Sequence, residues 1–110
     1  MASENQPVSP PPGWTIDPEE LDYEGEWAAV DSWGYRLATS YELGKCTPIM
    51  CDPQGGGLIF EASGKFYRVD QMSGDVVQII LPETLGEIVA VMKGESRRKT
   101  LKTRLLGSTA

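Results

Sequence analysis

The chain has 110 residues, of which 40% are hydrophobic and 24% are charged, and its formal net charge is −6. This composition suffices for one small core but not for a second, so a two-domain enzyme is excluded. The chain has no histidine and only two cysteines, so it lacks the usual general base at neutral pH, the commonest metal ligand and a four-thiolate zinc site.

Residues 1–24 are predicted to form a proline-rich acidic leader that is largely flexible. Four of the eight prolines lie within residues 1–13. Such a stretch prefers an extended polyproline conformation and does not pack into a core. A ligand for a proline-binding domain at Pro10–Trp14 is the alternative interpretation.

Residues 14–27 interleave acidic side chains with apolar ones. Asp17 is a good helix N-cap and Pro18 is favoured at the first helical position, so one prediction is a helical turn whose aromatic residues pack on the domain. The alternative is a docking peptide for a basic groove. The candidate protein-binding residues are Trp14, Asp17, Glu19, Glu20, Leu21, Asp22, Tyr23, Glu24, Glu26 and Trp27.

Residues 25–94 are predicted to form a single α+β domain, an antiparallel β-meander of four to six strands with one packed C-terminal helix. Short apolar runs alternate with turn residues, as in Ser63-Gly64, which is typical of hairpins. The last run is apolar on both faces, so we expect it to be central and covered by a helix. The candidate strands are residues 27–32, 35–41, 47–51, 58–62, 65–70 and 76–81.

The C-terminal helix of this domain is predicted from its caps and its apolar stripe. Thr84 and Glu87 match a capping box, and Gly94 is typical of a helix stop. Between them, apolar residues recur at helical spacing, at Leu85, Ile88, Val89 and Met92.

The stretch from Gly56 to Leu81, followed by the helix up to Gly94, resembles the C-terminal half of the SUKH superfamily of toxin-immunity proteins. In that family, hairpins with a glycine turn precede a terminal helix. The resemblance covers about a third of the chain, and the proline-rich leader stands where the family has an amphipathic helix. It carries no functional residues over to this chain.

Residues 95–110 are predicted to be a basic helical tail, because Leu101 and Leu105 are four residues apart. Residues 93–110 hold six basic residues and one acid, whereas residues 1–35 hold eight acids and no base. The favoured explanation is that the two ends meet within the fold or in a head-to-tail homodimer; recruitment of oppositely charged partners is the alternative. The candidate anion-binding residues are Arg97, Arg98, Lys99, Lys102 and Arg104.

Cys46 and Cys51 are predicted to be reduced, partly buried thiols, since a straight strand would hold their α carbons too far apart for a disulfide. The sequence contains neither an apolar run of about 18 residues nor a signal-peptide pattern. We therefore expect a cytoplasmic protein without a membrane span.

Together these features predict a non-enzymatic protein-binding module of the inhibitor or adaptor type, without metal or other cofactor. Its partner would be another protein, bound through the acidic aromatic segment, the sheet face or both. The alternative is binding of nucleic acid or an anionic surface through the basic tail, although the acidic net charge disfavours nucleic acid.

Overall fold

The structure is a computed structural model and describes residues 9–16, 33–70 and 72–108. Its five strands form one antiparallel sheet in the order β1-β2-β3-β4-β5, accompanied by two helices. The predicted α+β class and antiparallel meander are therefore confirmed. In chain order the elements are α1 (Trp33–Ser40), β1 (Thr47–Cys51), β2 (Gly57–Ala62), β3 (Lys65–Asp70), β4 (Asp75–Leu81), α2 (Leu85–Lys93) and β5 (Lys102–Ser108).

The hairpin between β2 and β3 sets the register of the middle of the sheet. Ser63 and Gly64 both have positive φ, 54° and 80°, which is the backbone conformation of a two-residue turn that matches the twist of the strands. Ala62 accordingly faces Lys65, and the pairing runs on to Gly57 opposite Asp70.

The sheet is covered on both faces, and each face has its own cluster of buried side chains. The face toward α1, called the α1 side, has a cluster formed by Leu37, Cys46, Cys51, Leu58, Phe60, Ala62, Tyr67, Val69 and Val76. The face toward α2, called the α2 side, has a cluster formed by Met50, Ile59, Ile79, Ile88 and Val89. Strand β4 contributes Val76 to one cluster and Ile79 to the other, which confirms that it is an internal strand with a helix over it.

Helix α2 begins and ends where the sequence predicted. The Glu87 backbone N–H donates to Thr84 Oγ1 at 3.4 Å, and Gly94 closes the helix in the left-handed conformation. In a complete capping box the Glu87 side chain would also accept from the Thr84 backbone N–H. Here Glu87 Oε2 accepts instead from Ser96 Oγ, at 3.1 Å. The connection that follows α2 is thereby attached to the first turn of the helix.

Two predicted elements are wrong. Residues 35–41 were expected to be a strand, but they belong largely to α1, where Leu37, Ala38 and Tyr41 turn toward the α1 side at helical spacing. Residues 95–110 were expected to form a basic helical tail, but β5 lies within this stretch, where Leu106 packs on the α1 side, while Leu101 just before it packs on the α2 side. The predicted strand at residues 27–32 lies outside the described residues.

The segment before the first helix is attached to the outer edge of β1. Thr15 and Cys51 exchange two backbone hydrogen bonds, of 2.8 and 3.0 Å. Trp14 packs against the α2-side cluster, and its ring lies 5.7 Å from the Arg68 guanidinium carbon, a cation–π contact. Gly57 makes room for this ring, because a Cβ atom there would lie 3.0 Å from Trp14 Cη2.

We expect Gly57→Ala to lower the free energy of unfolding by about 1 kcal/mol, because the new methyl group displaces the Trp14 ring from its contact. Urea denaturation measures this change. Gly86→Ala is the matched control, since nothing lies within 4 Å of its Cβ position, and we expect it to raise stability by roughly 0.5 kcal/mol. Equal stabilisation by both substitutions would contradict the packing of Trp14 on Gly57.

Candidate functional site

Strand β5 is an edge of the sheet. Within the described part of the chain its neighbouring strand is β4 alone, so the outer backbone N–H and C=O groups between Lys102 and Gly107 can accept another strand. The opposite edge differs, because Thr15 already occupies part of β1. Among the described residues, β5 from Lys102 to Gly107 is therefore the longer unpaired edge of the sheet.

From Lys102 to Leu106 the side chains of β5 alternate between the two sides of the sheet, and the register with β4 shifts between Val76 and Val77 and between Ile79 and Leu81. Arg104 pairs with Gln78 on the α1 side, and its Nη2 donates to Gln78 Oε1 at 2.9 Å. Lys102, two residues away, shares that side. Leu105 pairs with Val77 on the α2 side and remains 64% exposed, although it is a large apolar residue. One side of the edge is thus basic and the other is apolar.

Beside this edge, on the α2 side, lies a groove of about 510 Å³. It runs between the sheet, the end of α2 and the connection to β5. Its apolar surface comes from Val77, Ile79, Val91, Met92 and Leu101, and its polar rim from Arg68, Asp70, Asp75, Lys99, Thr100 and Thr103. The groove can accept apolar side chains from a segment lying along β5.

The predicted anion-binding residues are distributed over β5 and the connection before it. All five are exposed. Arg97 and Arg98 lie in the connection between α2 and β5, Lys99 lines the groove on the α2 side, and Lys102 and Arg104 project on the α1 side.

Of the predicted protein-binding residues, Trp14 is the one that the structure describes. It is half-buried against the α2-side cluster and Arg68. The others, Asp17, Glu19, Glu20, Leu21, Asp22, Tyr23, Glu24, Glu26 and Trp27, lie outside the described residues. The segment they form stays a predicted interaction site.

Arg68 and Leu105 were not among the site residues predicted from the sequence. Arg68 stands between Tyr67 and Val69, two buried residues of β3, so the alternation along the strand could have placed it on the other side of the sheet. Leu105 was assigned to the apolar stripe of a helix. Reading residues 102–108 with period 2 would have separated it from Lys102 and Arg104.

Cys46 and Cys51 are not joined in a disulfide, and both lie in the α1-side cluster, where they are more fully buried than the sequence predicted. Burial raises the pKa of Cys46 above its ordinary value of 9.0. The pKa of Tyr67 is raised above 10.0, mainly by burial and further by Cys46, while Arg104 opposes the rise. A raised pKa disfavours the thiolate form of Cys46.

The described ranges contain neither a metal site nor a membrane-spanning helix. Across residues 9–16, 33–70 and 72–108, no three cysteine or carboxylate side chains come together as a metal site. In those ranges neither helix is long and apolar enough to cross a membrane.

The site therefore belongs to a small α+β protein in which a five-stranded antiparallel meander lies between two helices, and in the described ranges its basic strand β5 pairs with β4 alone. No protein-family model, no curated protein and no solved structure matches this chain. The resemblance to the SUKH superfamily has no support from these comparisons, and the function proposed below does not depend on it.

We expect the free energy of unfolding to fall as the pH rises above about 9. Because the pKa values of Cys46 and Tyr67 are raised in the folded state, the folded chain holds their protons at pH values where the unfolded chain releases them. Their contribution is complete below the unfolded pKa values and is lost as the pH rises through the folded ones. Tyr67→Phe should make the fall above about pH 10 shallower in urea titrations, and an unchanged slope would contradict the assignment to Tyr67.

Proposed function

We propose that this chain is a non-enzymatic protein-binding module, of the inhibitor or adaptor type, that captures an extended segment of a partner protein along β5. The observation that carries the proposal is the open edge itself. Strand β5 pairs with β4 alone within the described ranges, and its exposed side chains divide into a basic side and an apolar side. Addition of a strand to such an edge is a recurring way to bind a peptide.

The chemistry of the edge supports a particular kind of segment. Backbone hydrogen bonds to β5 would supply affinity for any extended chain, whereas the side chains would supply selectivity. Lys102 and Arg104 favour acidic side chains on the α1 side, and cross-strand charge pairs of this kind contribute about 0.2–1 kcal/mol each. Leu105 and the adjoining groove favour apolar side chains on the α2 side.

Binding of nucleic acid or an anionic surface through the basic residues is the alternative proposal. The exposure of all five residues from Arg97 to Arg104 favours it. Their distribution over the two sides of β5 and the preceding connection weighs against it, because phosphate binding needs a contiguous basic face. Steeply salt-dependent binding of a labelled oligonucleotide would favour this alternative. The logarithm of its binding constant should then fall with the logarithm of the salt concentration, with a slope of roughly 0.7 to 0.9 for each phosphate contact.

The proposal is tested by site-specific photo-cross-linking in the cells that make the protein. A photoreactive phenylalanine analogue replaces Leu105, whose side chain lies on the α2 side of β5 and is 64% exposed. The matched control carries the same analogue at Gln54, an exposed residue in the loop between β1 and β2. We expect a protein adduct at position 105 and none at position 54, measured by denaturing gel and mass spectrometry.

Each other outcome counts against the docking edge. Adducts of equal yield at both positions would indicate non-specific contact. Absence of a protein adduct at position 105 would contradict capture at β5, and a nucleic-acid adduct there would favour the alternative. Urea midpoints close to that of the unmodified chain would confirm that both analogue-bearing proteins are folded.

A further inference from the structure

We infer that the segment bound at β5 is residues 21–27 of a second copy of this chain. The inference rests on the proposed function of β5 as a docking edge and adds the identity of the partner. It draws on three properties: the side-chain pattern of residues 21–27, the reach of the chain from its last described point before them, and the charge of β5.

Residues 21–27, Leu-Asp-Tyr-Glu-Gly-Glu-Trp, alternate with period 2. In an extended strand the three acids Asp22, Glu24 and Glu26 would share one side, and Leu21, Tyr23 and Trp27 would share the other. This is the complement of β5, which is basic on one side and apolar on the other.

The spacing agrees as well. Lys102 and Arg104 are two residues apart, and so are successive acids of the segment. Both separations equal about 7 Å along an extended strand. Asp22 and Glu24 can therefore face the two bases at once, while Tyr23 between them would lie toward Leu105 and the groove. The match holds for either direction of the added strand.

The first residues of a copy's own segment do not reach its own β5. Thr15 pairs with the outer side of β1, and a strand added beyond β5 would lie six strand spacings away, about 29 Å across the sheet. The six residues from Thr15 to Leu21 span at most about 20 to 22 Å. Residues 21–27 as a whole therefore fit the β5 of another copy.

Direct pairing of two β5 edges is disfavoured, because it would bring the basic side chains of the two copies together. Exchange of residues 21–27 instead places opposite charges in contact. Each copy has one acidic segment and one basic edge. In a closed dimer the acidic segment of each copy can therefore bind the basic edge of the other.

The test uses two charge-reversed variants of the full chain. The acid-reversed variant carries Asp22→Lys and Glu24→Lys, and the base-reversed variant carries Lys102→Glu and Arg104→Glu. We expect the wild-type chain to be dimeric in size-exclusion chromatography with light scattering. Each variant alone should have a dimer dissociation constant raised at least about tenfold, because like charges replace two cross-strand pairs.

Mixing the two variants is the decisive measurement. In a one-to-one mixture, the reversed segment of one variant faces the reversed edge of the other, and the two unreversed surfaces face each other. A heterodimer close to wild-type affinity should therefore form. The matched control, Lys45→Glu with Lys65→Glu, changes the net charge as the base-reversed variant does at two exposed residues away from β5, and it should dimerise normally.

The outcomes separate this inference from the proposed function. A mixture that stays monomeric, or a wild-type chain that is monomeric at every concentration, overturns the exchange of residues 21–27. If Leu105 then still cross-links to a different protein, β5 remains a docking edge with a foreign partner. If no protein adduct forms at Leu105 either, both proposals fail. Unchanged urea midpoints of the variants exclude misfolding as the cause.

Discussion

The fold depends on one constraint, the burial of both faces of β2. Leu58 and Phe60 face the α1 side with no more than 2% exposure, while Ile59, between them, is fully buried on the α2 side. A strand that is apolar on both faces is stable only when a layer covers each face. Helix α1 supplies one layer and helix α2 the other, and the sheet between them must be wide enough to hold both.

That arrangement leaves the ends of the sheet with different roles. At β1, Thr15 extends the ladder and Trp14 folds over Gly57 toward Arg68. At β5, the strand is anchored from the side of β4, through Arg104 to Gln78 and through Leu106 in the α1-side cluster. Leu105 has no such cover, so the edge keeps an apolar residue in solvent beside the groove. A surface of this kind is typical of an interaction site.

The sequence predicted those elements whose stability is local. Strands β1 and β3 have the predicted bounds, and α2 lies between its predicted caps, because turn residues and caps act over a few positions. Helix α1 was missed, since residues 35–41 contain β-favouring Tyr and Thr, and burial of Leu37 against the sheet decides the conformation. Strand β5 was missed for a related reason. Leu101 and Leu105 have helical spacing, but pairing with β4 is a long-range interaction that no local pattern contains.

The site was the hardest part to predict, because the strand conformation of β5 decides on which side of the sheet each of its basic residues lies. In the sequence, Arg97 to Arg104 form one basic cluster; in the structure, Lys102 and Arg104 stand on the α1 side of an open edge and Leu105 on the α2 side. Charged residues on an edge strand oppose pairing between two identical edges, which protects a small sheet from aggregation. In the function proposed above, the same charges would also select the strand that is added there. An edge that disfavours its own copy and favours an acidic, alternating strand would combine protection against aggregation with specificity of binding.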